Sequence, residues 1–506
     1  MDGTKAVIKN VLWELCYYLT VIAFGFFAPR FIILIYGSEV NGLSSTITQI
    51  LNVILILQSG TTTAAIFSLY KPIAENDIEE ISKNLYSAEK LFRKLAYIFG
   101  VIMLVVAALT ASFLKSSIPA IYIFIAFVIM GMKSFLDLYY TSKFRIVFTA
   151  YQDKFVISIA TLLEQVIYYA LVFFTIFARI HFVFLYVWLF VGCVAKVIFL
   201  ECKYKKKYGA IIPRYKGEKS KPIKGRSYAL ANEVSHSIVS SSTTIILSFM
   251  YGLQEASVYA VYALVSQALT LVSTALYSSF EPSFGSLVAK GNKDNEKRVF
   301  GIFQYLYIML NSVMFFCMIV LVVPFAKIYT SGATDINYAN PLLAVTIGFV
   351  GVISAYRVPY NIVVSTCGYF KETWKQPVIC IFISLLISFI GGLFDYPLIP
   401  LGNLVFYFVN FLFQHFRLKQ LVPHLISNQT FTMFGISMFG LAVSALVCYL
   451  SLVTDGILAW LVAAAICVAL SILYICISSI VLLPYEFKAS YVYIKTHLLR
   501  KLNKFH

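Results

Sequence analysis

Three cations sit inside long apolar runs of this chain: Arg30, Lys133 and Arg357. A charge near the centre of a membrane helix costs at least about 2.5–3.5 kcal/mol, so such groups face a bundle interior or a wet cavity. Arg357 lies in the stretch SAYRVPYNIVV, residues 354–364, with no acid three or four positions away. A guanidinium grips phosphate oxygens through paired hydrogen bonds. Tyr356 and Tyr360 flank it, and Tyr140 lies two turns beyond Lys133. Aromatic faces suit sugar rings. Asn361 stands one turn beyond Arg357, and Gln49 and Asn52 add uncharged hydrogen-bonding groups on an earlier run. Together these types suit a phosphate-linked saccharide, and all of these residues are substrate-binding candidates.

The acids in or beside apolar runs are Glu14, Asp137, Glu164, Glu233 and Glu281. With His236, one turn from Glu233, they are candidates for a coupling ion, H⁺ or Na⁺. Bland alternatives stand beside these roles. Lys133 and Asp137 are one helical turn apart and could form a local ion pair. Glu164 could neutralise Arg357 from another helix. Glu233 and His236 could be a packed polar pair. Stripes of hydroxyls at helical spacing, such as Ser237, Ser240, Thr244 and Ser248, could be no more than interhelical glue. That last account does not extend to the ions. Stripes drawn from both halves imply a hydrated cavity, cationic in its middle and acidic at one mouth.

The elements that must position these groups are long apolar helices. The chain has 506 residues, 60% hydrophobic and 12% charged, about half the charge of a soluble protein. Runs of about 20 apolar residues recur from end to end. They predict fourteen spans, from 8–36 and 42–70 to 431–454 and 457–483. Most of the 40 Lys and Arg residues fall on alternate connections and at both termini. The other side keeps Lys115, Arg179 and Lys327. The net charge of +17 is therefore a topology signal with both termini cytoplasmic, aided by anionic lipid, and not a nucleic-acid surface. The first run is too long for a signal-peptide core and lacks a small-residue cleavage site, so it reads as a span. Nine cysteines lie mostly in apolar runs without metal-ligand spacing and read as packing residues.

A weak internal repeat divides the chain. YGSEVNGLSS (36–45) faces YGLQEASVYA (251–260), and LYKPIAENDIEEISK (69–83) faces SLVAKGNKDNEKRVF (286–300). The fold expected is all-α and polytopic, with two pseudo-symmetric six-helix bundles and two extra C-terminal helices. Residues 1–202 form one lobe, 203–227 a basic linker and 228–420 the second lobe. Helices 13 and 14 (431–483) are expected as a lipid-facing appendix, and 484–506 as a cytoplasmic tail. Pro29, Pro282 and Pro359 each lie close to an ionisable group and mark expected breaks in their helices. Exterior connections are all short, which leaves no room for the catalytic loop of a glycan polymerase, so no enzymatic activity is expected.

Residues 36–95, beginning YGSEVNGLSSTITQILNVILILQSG, and 322–344, VVPFAKIYTSGATDINYANPLLA, resemble the polysaccharide-transporter branch (Wzx-type flippases) of the multidrug/oligosaccharidyl-lipid/polysaccharide (MOP) superfamily. The resemblance implies a V-shaped, MATE-like pair of bundles and alternating access. It implies transfer of undecaprenyl-pyrophosphate-linked oligosaccharide across a bacterial cytoplasmic membrane for surface polysaccharide assembly, with a polymerase and glycosyltransferases as partners. The family's cationic cavity maps by type and depth onto Arg30, Lys133 and Arg357. Two other readings remain: a lipid II flippase, whose first two spans are richer in arginine, and a cation-coupled multidrug exporter.

Overall fold

The computed structural model describes residues 3–58, 60–209, 211–213, 215, 227–450 and 456–502. Among these residues all regular structure is helical. A spanning segment must satisfy its own backbone in lipid, and the apolar runs do so as helices. Among the described residues, twelve helices are individually long and apolar enough to cross a membrane, against the fourteen expected. Contacts divide the chain into two compact units, Met1–Ser257 and Val258–His506.

The first unit contains α1 (Gly3–Tyr36), α2 (Ser38–Leu55), α3 (Thr61–Glu75), α4 (Ile78–Phe113), α5 (Ala120–Leu136), α6 (Ser142–Ala150), α7 (Lys154–Phe177), α8 (Val183–Lys207) and α9 (Ser227–Met250). The opening turn of α10 (Leu253–Val288) completes it. The second expected span is broken in two. After α2 comes a short 3₁₀ turn, Ile56–Gln58, and Gly60 then takes a left-handed conformation (φ 73°) before α3 begins. A side chain would resist that conformation. A second irregularity is a π-helical turn, Asp137–Thr141, between α5 and α6. The apolar core joins Phe92 and Phe99 of α4, Phe127 of α5 and Phe148 of α6, all fully buried.

Hydrogen bonds fix which connections share an end of this unit. At one end Asn10 donates to the Gln152 carbonyl and accepts from the Phe155 N–H, Lys207 and Tyr208 both reach Asp153, and Ser82 donates to the Pro213 carbonyl. At the other end Tyr36 donates to the Ile180 carbonyl (2.6 Å), Ser116 and Ser117 donate to Glu39, and Lys115 donates to the Met250 carbonyl (3.0 Å). The basic connections thus gather at one end, as the charge pattern requires.

The unit boundary falls inside α10; of the 203–227 linker, residues 210, 214 and 216–226 lie outside those described. The cause is polar docking of α9 and the start of α10 on α2. Thr46 pairs with Ser248 (2.6 Å), Ser241 donates to Gln49 (2.9 Å), and Asn41 donates to Ser257 (2.8 Å). A Cβ on Gly42 would lie 1.9 Å from the Leu253 carbonyl oxygen, so only glycine permits this approach of α2 to the start of α10.

The second unit holds the rest of α10 with α11 (Lys293–Tyr329), α12 (Pro341–Cys367), α13 (Phe370–Thr373), α14 (Lys375–Phe394), α15 (Leu401–Leu421), α16 (Gln429–Leu450), α17 (Ile457–Leu482) and α18 (Pro484–Leu502). Helix α11 is its buried axis and packs on α12, α16 and α17. The expected appendix is only half realised. Helix α16 is part of the core, because Ser437 bonds both Ser312 of α11 (2.8 Å) and Tyr356 of α12 (2.7 Å). Helix α17 is largely exposed and is anchored by Trp460, whose ring N–H donates to the Leu321 carbonyl (3.1 Å).

The internal repeat is visible in local structure. Gly37 and Gly252, both following tyrosine, take positive φ (86° and 134°) immediately before α2 and α10. Asp77 and Asn292 both cap the next long helices, accepting from the N–H of Glu80 and Asn295. The helices they start, α4 and α11, have 36 and 37 residues. The expected breaks at Pro29, Pro282 and Pro359 do not occur, since α1, α10 and α12 run through them as single helices. Each proline removes one internal bond, and the turns on either side hold the helix together.

Candidate functional site

The first unit carries an ionic cluster built from four elements. Lys133 on α5 and Asp137 at the head of the π-helical turn meet Glu164 on α7 and Lys196 on α8. The Lys196 ammonium lies 2.6 Å from Asp137 Oδ1 and 2.7 Å from Glu164 Oε2. Lys133 Nζ lies 3.4 Å from Glu164 Oε1. Glu164 and Lys196 are only 1% and 4% exposed, which leaves little room for water to satisfy them. An unpaired charge there would cost several kcal/mol, and the paired set of two cations and two anions is formally neutral.

Backbone geometry allows the cluster. Gly192 lies one turn before Lys196, and a Cβ there would come within 2.8 Å of the Glu164 carbonyl oxygen. The missing side chain lets α8 press against α7, so the long arm of Lys196 reaches both acids. Asp137, Glu164 and the Cys193 thiol have donor atoms mutually within 4.8 Å, a set that would suit a cation. The Lys196 ammonium takes that place.

Beside the cluster lies a cavity of about 360 Å³, walled by Asn52, Lys133, Asp137, Arg145, Gln165 and Tyr168 among others. Asn52 and Lys133 thus line the same cavity. Gln49 does not line it and is held by Ser241. Tyr140 is exposed and stacks at an angle on Tyr139 (4.7 Å between centroids). Arg30 is partly exposed on α1.

In the second unit Arg357 has no carboxylate partner among the described residues, and its Nε is buried without a hydrogen bond. Its guanidinium lies over the Tyr407 ring at 5.7 Å, and Tyr277 and Tyr307 are also near enough to feel its charge. The attraction of a cation for a ring face offsets only part of the lost hydration. The neighbouring candidates face elsewhere. Tyr356 and Tyr360 are fully buried, the first bonded to Ser437 and the second to His415 Nδ1 (2.8 Å). Phe411 and Phe434 pack on Tyr356, and Phe411 and His415 on Tyr360. Their expected stacking on a sugar is corrected to packing between helices. Asn361 accepts a hydrogen bond from Gln414 (3.0 Å).

The acids sort differently from their sequence spacing. Lys133 does not pair with Asp137, because the closely approaching Lys196 takes Asp137 and the more deeply buried Glu164 takes Lys133. Glu164 is engaged by both Lys133 and Lys196. Glu14 pairs with Lys154 (2.8 Å), and Glu281 accepts from Ser365. His236 is partly buried on α9; the Glu233 side chain lies outside the described residues. Lys196 is not among the cations that the apolar runs single out, because it lies within two turns of the basic connection after α8. Its signal was present: it lies inside the apolar stretch VGCVAKVIFL.

No protein-family model and no curated protein sequence matches the chain. Solved structures do match it in fold. An inward-facing multidrug-resistance MATE transporter of the MOP superfamily superposes with TM-score 0.67 at 14% identity, covering 79% of this chain and 95% of that one. The lipid II flippase MurJ in an inward closed conformation gives 0.56 at 13% identity, covering 93% and 98%. A MOP-superfamily transporter from Pyrococcus furiosus, described as having a binding pocket of reversed polarity, gives 0.52 at 13% identity, covering 85% and 98%. The chain thus has the MATE-like, multi-pass helical fold of MOP-superfamily transporters.

Proposed function

We propose that this chain is a flippase of the Wzx type that carries a polyprenyl-pyrophosphate-linked oligosaccharide between the leaflets of a bacterial cytoplasmic membrane by alternating access. The observation that carries this reading is Arg357, a half-buried arginine whose Nε is enclosed without a hydrogen bond and which has no carboxylate partner among the described residues. A protein does not keep such a group without something for it to bind. An anionic headgroup supplies the two oxygens that a guanidinium fork takes best.

The same arrangement counts against a cation-coupled drug exporter, which needs acids open to a cation. Here Asp137 and Glu164 are held by lysines of the same chain. Of the other coupling candidates, Glu14 is paired with Lys154. Glu281 accepts a hydrogen bond from Ser365. One observation favours the lipid II reading, the 93% coverage of the chain by MurJ. Both flippase readings share a diphosphate headgroup.

The test is a reconstituted flipping assay with a fluorescent polyprenyl-diphosphate oligosaccharide in proteoliposomes. Arg357→Gln should insert and fold but lose most transfer. Unchanged transfer by that variant would overturn this reading. Preference for lipid II over other glycans would move the protein to the second.

A further inference from the structure

A second concentration of cations lies at the basic end of the first unit, away from the ionic cluster. Two adjoining hollows, of about 430 and 390 Å³, share Tyr86, Glu89 and Arg93 and form one groove along the first turns of α4. Five cations line it, Lys90, Arg93, Lys94, Lys143 and Lys205, with the carboxylate of Glu89 among them; Lys205 is paired outside the groove with Glu201 (2.8 Å). That carboxylate organises the floor. Arg93 bonds it, and Lys143 approaches it at 3.7 Å. Aromatic faces fix both cations from behind, with the Arg93 guanidinium 5.1 Å from the Tyr139 ring and the Lys143 ammonium 4.9 Å from Tyr204. Arg93 Nε has no hydrogen-bond partner. Lys90 and Lys94 stand exposed on the rim without an ion pair among the described residues.

The groove does not end in water. Its upper wall is Tyr97 and Ile98, and from there an exposed apolar stripe continues up the same helix through Val101, Val105, Leu109 and Phe113. The stripe is about 22 Å long from Ile98 to Phe113 at 1.5 Å per residue. A preorganised cationic pocket continuous with an apolar track longer than one leaflet's share of the hydrocarbon core, about 15 Å, is complementary to one kind of molecule: a phosphate borne on a long hydrocarbon chain.

We infer that this groove binds the phosphate headgroup of a membrane lipid, with the lipid chain lying along the outer face of α4. Arg93 and Lys143 take the phosphate oxygens, and Lys90 and Lys94 close over them. The occupant is a bulk anionic phospholipid or an isoprenoid diphosphate, which share this chemistry. The site stands whether or not the chain flips glycolipid.

The test uses the full-length protein in phosphatidylcholine nanodiscs and radiolabelled farnesyl diphosphate as probe. Binding should be saturable, and Lys90→Gln with Lys94→Gln should weaken it roughly thirtyfold, at about one factor of five per lysine. The Lys90→Arg, Lys94→Arg pair should keep it. Displacement by phosphatidylglycerol would identify bulk lipid as the occupant; resistance to it would identify an isoprenoid diphosphate. Both results support the site. Undiminished binding by the glutamine pair would overturn it, as would equal displacement by inorganic pyrophosphate, which would reduce the groove to an anion patch. Flipping is scored separately, so loss of transport with binding intact speaks against the transport reading alone.

Discussion

Lys196 Nζ lies 2.7 Å from Glu164 Oε2, and these two residues are the most buried members of the charged cluster that ties α7 to α8. Removing one partner of such a pair costs far more than the pair contributes, because the other charge is stranded in a low-dielectric interior. Lys196→Met should therefore destabilise the protein by about 3–5 kcal/mol. The double variant Lys196→Met, Glu164→Gln should recover much of that loss. Thermal unfolding in detergent checks both. A double variant no more stable than the single one would show that the pair does not act as a unit.

Gly192 should tolerate no side chain larger than alanine. A Cβ there already meets the Glu164 carbonyl oxygen at 2.8 Å, so Gly192→Val must push α8 off α7 and draw Lys196 away from its acids. A loss of about 1–3 kcal/mol is expected from the overpacking alone. Gly192→Ala should lie between valine and wild type, and the order of melting temperatures checks this.

Tyr356→Phe and Tyr360→Phe each delete one buried hydroxyl and its hydrogen bond, to Ser437 or to His415, and Ser437 keeps its bond to Ser312. Each should cost about 1–2 kcal/mol of stability. Neither should alter the apparent KM for a lipid-linked substrate in a flipping assay, since both rings are enclosed. A raised KM with unchanged stability would return these tyrosines to the binding site.

Arg357→Lys should fail almost as fully as Arg357→Gln in transport. A lysine keeps the charge and loses the planar fork that engages two oxygens together. Equal rates for lysine and arginine would mean that only the positive charge matters.

Thiol labelling checks the packing of the two units. Cys16 and Cys202 are exposed, whereas Cys193, Cys380 and Cys448 are buried. In the native protein a hydrophilic maleimide should modify Cys202 and leave Cys193 untouched until the protein is denatured. In sealed right-side-out vesicles Cys202 should be protected, because it lies beside the basic connection that charge assigns to the cytoplasm.

Sequence by itself determined that this is a polytopic helical protein, which connections share an end, and where the two halves resemble each other. These properties follow from local chemistry. Apolar runs cannot leave their backbone unbonded in lipid, lysine and arginine mark one side, and Gly37 and Gly252 each permit a positive φ before a helix. The special character of Arg357 was also legible, since no nearby acid on its own helix could neutralise it.

Tertiary structure alone decided which charge meets which. Spacing suggested Lys133 with Asp137. The outcome depended instead on α8 pressing against α7 at Gly192, which brought Lys196 between two acids from separate helices. Packing likewise turned Tyr356 and Tyr360 inward and drew α16 into the second unit. The physical reason is common to all three. Helical spacing fixes the face on which a side chain lies, but an ion pair or a buried ring is settled by what another helix brings within a few ångströms of that face.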